Sequence, residues 1–136
     1  MRVVLDTNIL LISIPKNSRF RLIFDSFINR QFSLVVSNDI LSEYAEVIAS
    51  KTNSIVSANI LEMLLAAKNV EKQEIYYKWH LITADNDDNK FVDCVIAGNV
   101  DYLVTNDKHF NKLKSIEFPP ITVLNINEFI ELLTKK

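Results

Sequence analysis

Two acidic residues stand where strands end. Val3-Val4-Leu5 reads as a short buried strand and runs straight into Asp6, and Leu103-Val104 runs into Thr105-Asn106-Asp107. In a parallel sheet the carboxyl ends of all strands share one edge, where ligands of open α/β folds bind. Asp6 and Asp107 are therefore candidates to meet there, although either alone could simply cap the helix that follows. Asp93 is the only charged residue between Phe91 and Val100, with apolar residues right round its helix. A buried carboxylate without a partner is costly and either shifts its pKa or finds a cation. The plainer alternatives are a half-exposed surface acid or a salt bridge to Lys90 at i−3. Glu43, with Ile40 and Val47 as neighbours, borders the apolar face of an early helix and can turn inward. Glu46 lies nearer the middle of the polar face.

If Asp6, Glu43, Asp93 and Asp107 converge, their like charges repel and raise one another's pKa values. A hard divalent cation resolves this, because Mg²⁺ and Mn²⁺ prefer oxygen ligands. Such an ion binds phosphate oxygens, activates water and stabilises a leaving oxygen, which is the chemistry of metal-dependent nucleases. The denser acidic run Asp85-Asn86-Asp87-Asp88-Asn89 is similar to the opening of a calcium-binding EF-hand loop. The pattern fails at its sixth position, Lys90, and its twelfth, Ile96. It reads as a solvated loop capping the next helix, with Asp88 at most a peripheral metal contact.

Composition narrows the field. The chain of 136 residues has one glycine, Gly98, so it lacks the glycine-rich loop with which P-loop and dinucleotide-binding proteins cradle phosphate. One cysteine, Cys94, permits no internal disulfide, and His80 and His109 are too far apart for a zinc motif. No apolar run approaches the ~18 residues of a membrane span. The N-terminus enters a strand without a signal-peptide pattern, and a cytoplasmic location is expected. A net charge of −2 offers no bulk attraction to nucleic acid, so any such contact rests on local basic clusters. Lys16, Arg19 and Arg21 form one; Lys108, His109, Lys112 and Lys114 form another. Any of these residues could equally belong to a solvated face. Neither histidine is assigned a chemical role.

The elements that must position the acids alternate. Strands are predicted at 3–5, 33–36, 74–77 (weak), 102–104 and 121–124. Helices are predicted at about 18–30, after a Ser37 cap, at 53–68, 90–99 and 126–133, with a short helical turn at 107–113. This predicts a single α/β domain over 1–136, a parallel sheet covered by helices. Gly98 is expected to end the Asp93 helix or ease its packing. Cys94 should pack as a small apolar residue. Most aromatics should be core, with stacking on bases by Tyr76, Tyr77, Trp79 or Phe110 the lesser alternative.

Asp6-Thr7-Asn8 after the first strand, Glu43 on an early helix, Asp93 on a later one and Asp107 in Leu103-Val104-Thr105-Asn106-Asp107 together resemble the PIN-domain ribonucleases. The stretch from Asp85 through Phe110 is especially similar to the bacterial PIN-family toxins of toxin–antitoxin systems. The resemblance implies a three-layer fold with a five-stranded parallel sheet, dependence on Mg²⁺ or Mn²⁺, and endonucleolytic cleavage of RNA. It implies that Asp6, Glu43, Asp93 and Asp107 hold the metal, with Asn8 and Thr105 orienting carboxylates by hydrogen bonds. Thr7 and Asn106 could assist or could be turn and cap residues. Possible RNA contacts are Lys16, Arg19, Arg21, Lys108 and Lys112. A cognate antitoxin and a homodimer are the implied partners, and the overall acidity departs from the more basic surface of many nucleases. Two other classes remain: a PIN-like module that only binds RNA or protein, and a receiver-type phosphoacceptor domain. The latter needs adjacent acids after the first strand and an acceptor after the third, and neither is present.

Overall fold

The computed structural model describes residues 1–83, 86–117 and 119–135. Five parallel strands form its sheet: β1 (Arg2–Leu5), β2 (Ser33–Val36), β3 (Val70–Lys72), β4 (Tyr102–Val104) and β5 (Val123–Leu124), in the order β3-β2-β1-β4-β5. The order differs from the 2-1-3-4-5 arrangement of receiver-type domains. Six helices flank the sheet: α1 (Thr7–Ser13), α2 (Arg21–Ile28), α3 (Asn38–Lys51), α4 (Ser54–Ala66), α5 (Asn89–Gly98) and α6 (Ile126–Thr134). Short 3₁₀ segments cover Asn86–Asp88 and Lys108–Ser115.

The central strands are continuous apolar runs because both their faces are covered. Val3, Val4 and Leu5 of β1, Leu34, Val35 and Val36 of β2, and Leu103 and Val104 of β4 are all buried. α5 packs across β1, β2 and β4, which accounts for its apolar circumference. Tyr44, Phe91, Phe110 and Phe129 are the largest fully buried side chains. Among the described residues no helix is long and apolar enough to cross a membrane.

The third strand and the segment after Asp6 depart most from expectation. The third strand forms at Val70–Lys72, four residues earlier than the aromatic run predicted, with Val70 beside Leu34 of β2. Alternation in Ile75-Tyr76-Tyr77 suggested a pleated surface, yet the rings of Tyr76 and Tyr77 are exposed and the segment runs free of the sheet. α1 was not anticipated; it starts directly at the residue after Asp6. Gly98 does close α5, but the left-handed residue is Asn99, at φ 48°. The glycine serves close packing instead: a Cβ there would lie 3.1 Å from Val100 Cγ2. Arg2 Nη1 also donates to the Gly98 carbonyl at 2.5 Å. Cys94 is buried as expected, and burial pushes its thiol up to about 12.

Candidate metal centre

Parallel pairing brings the first two acids together. Leu5 pairs with Val104, and the Asp6 amide donates to the Val104 carbonyl at 3.0 Å. The Asp6 side chain makes no helix-capping bond. Its Oδ2 instead accepts from the Thr105 hydroxyl at 2.7 Å, and the same hydroxyl oxygen accepts from the Asp107 amide at 3.0 Å. Thr105 thus ties both strand ends into one unit. Burial pushes the Asp6 carboxyl up to about 6; the Thr105 hydrogen bond opposes this, and the charges of Asp88, Glu43 and Asp107 add to it. Four carboxylates therefore share one electrostatic neighbourhood.

Glu43 arrives from α3 through its neighbour. Tyr44 is fully buried and its hydroxyl donates to the Leu5 carbonyl at 2.6 Å, one residue before Asp6. Burial and the nearby negative charges raise the Tyr44 pKa, so the phenol keeps the proton it donates. The Thr7 hydroxyl donates to Glu43 Oε2. Lys90 Nζ reaches Glu43 Oε1 at 2.6 Å. Lys90 is therefore the partner of Glu43 rather than of Asp93.

The third carboxylate whose charge bears on Asp6 is Asp88, and Asp93, expected in that place, makes its hydrogen bond elsewhere. The Asp93 Oδ1 accepts from the Trp79 amide at 3.0 Å. Burial raises its pKa, while that hydrogen bond and the charges of His80 and Lys78 lower it. Five residues on a helix are more than one full turn, so Asp88 and Asp93 lie on successive turns and at different angles round the axis. Asp88 sits at the α5 N-terminus, facing the ends of β1 and β4, whereas Asp93 faces the segment after β3. Apolar surroundings signalled a buried acid correctly. They did not say which wall of the helix's surroundings it meets.

His109 was also missed. It follows Asp107 by two residues in the 3₁₀ turn, and its amide donates to Asp107 Oδ1 at 2.9 Å. Its Nδ1 lies 3.1 Å from Asp88 Oδ2 and 3.4 Å from Asp107 Oδ1. Ligand atoms of Asp88, Asp107 and His109 all fall within 4.8 Å of one another. Asp-x-His across the start of a tight turn was the available signal.

Other expected residues are placed as follows. Asn8 is exposed on α1, and the neighbouring Thr7 makes the contact to Glu43. Asn106 Oδ1 accepts from the Ile126 amide at 3.0 Å, anchoring α6. Arg21 is committed to the fold: it pairs with Asp25 at 2.9 Å and donates to the Ile14 carbonyl. Lys16, Arg19, Lys108, Lys112 and Lys114 are exposed. Arg19 lies over the Phe20 ring, and Lys112 Nζ is 3.5 Å from Thr83 Oγ1. Phe110 is fully buried and packs on Phe91, so it is core. The acidic run is helical from Asn86 onward; its Asp85 end lies outside the described residues.

A parallel sheet in this order, with acids at the carboxyl ends of its central strands, is an open α/β fold with a candidate ligand site at that edge. The chain belongs to the PIN-domain family, whose model matches residues 2–109. It is similar in fold to solved structures. The VapBC2 complex of Rickettsia felis, bound to promoter DNA, is 20% identical with a TM-score of 0.63, over 92% of this chain and 98% of that one. The sarcin–ricin-loop-cleaving toxin VapC20 of Mycobacterium tuberculosis is 11% identical with a TM-score of 0.62, over 87% and 99%. VapBC-1 of nontypeable Haemophilus influenzae is 17% identical with a TM-score of 0.62, over 93% and 99%. No curated protein sequence matches the chain. The donor set suits a hard divalent ion: carboxylate oxygens with one imidazole nitrogen, beside an acid whose pKa burial raises and neighbouring carboxylates raise further.

Proposed function

We propose that this chain is a divalent-metal-dependent endoribonuclease, the toxin of a toxin–antitoxin pair acting in the cytoplasm. The grouping of Asp88, Asp107 and His109, with Asp6 tied to the Asp107 strand end through Thr105, carries this reading. Family membership and the toxin folds it is similar to support it. Asp6, Asp88 and Asp107 would hold Mg²⁺ or Mn²⁺, with Glu43 joining them and His109 bridging Asp88 and Asp107. Such an ion supplies an activated water and neutralises charge on the phosphodiester. The protein's part is positional. Thr105 fixes the Asp6 carboxylate, Thr7 fixes Glu43, and the Asp107 cap fixes the turn that carries His109. Asp93 leaves the metal set in this reading. A cognate antitoxin and a homodimer are the partners proposed.

The test is cleavage of a defined RNA with Mn²⁺ or Mg²⁺, with product ends sequenced. Wild type should cut, and EDTA or Asp6→Asn should stop it. An Asp6→Asn protein as active as wild type would remove the assigned site. For the toxin role, expression should arrest growth and co-expression of the neighbouring small gene should relieve it.

A further inference from the structure

α5 carries two buried polar side chains one turn apart that the metal centre does not use. Asn89 Oδ1 accepts from the Ile82 amide at 2.8 Å, and its Nδ2 donates to the Ile82 carbonyl at 2.9 Å. Asp93 accepts from the Trp79 amide. Both residues are buried. Together they grip the backbone of an irregular segment that follows the edge strand β3 and has no ladder of its own. Within it His80 holds a left-handed φ of 52°, a conformation costly for a side-chain-bearing residue. A surface loop with no purpose would not require two buried polar anchors and a strained residue to hold one shape.

The segment's shape has a consequence for the groove. Ile75, Lys78 and His80 form one wall of a cavity of about 330 Å³ whose other walls include Ser37, Lys90 and Asp93. Asp39, Asp87 and Lys90 line this cavity and also the adjoining cleft that contains Glu43. The space beside the segment therefore adjoins the cleft that Glu43 lines. Lys78 and His80 are exposed and line it, and the exposed rings of Tyr76 and Tyr77 stand at the same stretch. Cations and aromatics interleaved along an open backbone are the chemistry that holds single-stranded nucleic acid. Phosphate contacts there fix the register of the strand.

We propose that residues 75–80 are the arm that holds single-stranded RNA beside the scissile phosphate, and that Asp93 is a positioning residue which, with Asn89, locks this arm to α5. The proposal rests on the ribonuclease reading and adds its substrate-holding wall. Asp93 acts through the Trp79 amide; Lys78 and His80 touch the strand.

The experiment uses full-length protein and a short fluorescein-labelled single-stranded RNA of mixed sequence, alone or annealed to its complement. Binding is followed by anisotropy in EDTA, and cleavage kinetics are followed with Mn²⁺. The exposed double variant Lys78→Ala/His80→Ala should weaken single-strand binding and raise KM about tenfold, with little change in kcat. Asp93→Ala should do the same, while Asp93→Asn, whose amide oxygen still accepts from Trp79, should restore most of the loss. Mn²⁺ affinity by calorimetry should be unaffected in all three. Lys78→Ala/His80→Ala binding as tightly as wild type would overturn the arm, whatever Asp93→Ala does to folding. Loss of Mn²⁺ affinity in Asp93→Asn would return Asp93 to the metal set and overturn its positioning role. Unchanged RNA binding with altered self-association on a sizing column would make the segment a protein-contact surface and overturn the proposal. Failure of wild type to cut any RNA with Mn²⁺ would strike the ribonuclease reading instead, and the binding arm of the experiment separates the two.

Discussion

The Asp6–Asp107 half of the centre is held by backbone, the Glu43–Asp88 half by side chains. Asp6 and Asp107 follow adjacent parallel strands whose ladder already fixes Leu5 against Val104, and Thr105 closes the remaining gap. Glu43 and Asp88 ride on helices. α3 is moored to β1 by the Tyr44 hydroxyl, and the start of α5 is moored to the chain before it by Asn89. A sheet ladder distributes its load over many bonds, whereas each helical acid depends on one or two. The strand-end half should therefore tolerate local change in shape poorly but resist displacement, and the helical half should move when a single mooring is cut.

The largest effects should come from the acids themselves. Asp88→Asn should reduce RNA cleavage by on the order of 10²-fold or more, with Mn²⁺ affinity falling in parallel. Asp93→Asn should spare that affinity. Equal losses in the two variants would abolish the distinction between the successive turns of α5.

The strand-end half also carries a stability signature. The folded-state pKa of Asp6 is about 6 against 3.8 for a free carboxyl. Between those values the folded state binds more protons than the unfolded state, so metal-free stability falls as pH rises through that window. The full shift amounts to about 3 kcal/mol. Asp6→Asn has no such charge to bury. In EDTA it should be more stable than wild type at neutral pH and lose that advantage near pH ~4, as urea midpoints would show. Added Mn²⁺ should stabilise wild type and leave Asp6→Asn nearly unchanged. A destabilised Asp6→Asn at neutral pH would mean that Asp6 is paired rather than repelled.

Next come the moorings. Thr105→Val removes the hydroxyl that serves both strand ends and should cost about 10–100-fold in cleavage or metal affinity. Tyr44→Phe leaves the Leu5 carbonyl short of its donor and should destabilise the fold by about 1–2 kcal/mol, measured by urea denaturation. Activity should fall further than stability explains, because Glu43 is the neighbour of Tyr44. If Thr105→Val proved milder than Tyr44→Phe in cleavage, the sheet-held half would not be the more sensitive one.

This difference between the halves also explains what the sequence could disclose. Strand-end acids are legible because a short β-branched run fixes both the element and the edge where it stops. The sheet and its helices followed from the alternation, and so did Asp6 and Asp107 as neighbours. β3 was misplaced because an edge strand is specified by one pairing partner, and Val70 carries less pattern than Ile75-Tyr76-Tyr77. Asp88 reads as no more than a peripheral metal contact because a run of Asp and Asn looks alike whether solvated or aimed inward. Asp93 was chosen because burial is visible in sequence and direction is not. His109 needed the turn geometry that places its ring between two carboxylates.

The smallest effect expected concerns Lys90, whose ammonium pairs with Glu43. Its ammonium occupies Glu43, so the helical half enters metal binding with one carboxylate already compensated. Any ion that recruits Glu43 must share it with Lys90 or release it. The pair is mostly buried but not sealed from solvent, which keeps its strength near that of a surface bridge. Lys90→Met keeps the apolar stem and removes the charge. Mn²⁺ affinity should then rise about two- to fivefold by calorimetry. Affinity that fell instead would show that Lys90 supports the metal-binding position of Glu43 rather than competing for it. The helical half would then depend on an ion pair as firmly as the strand half depends on Thr105.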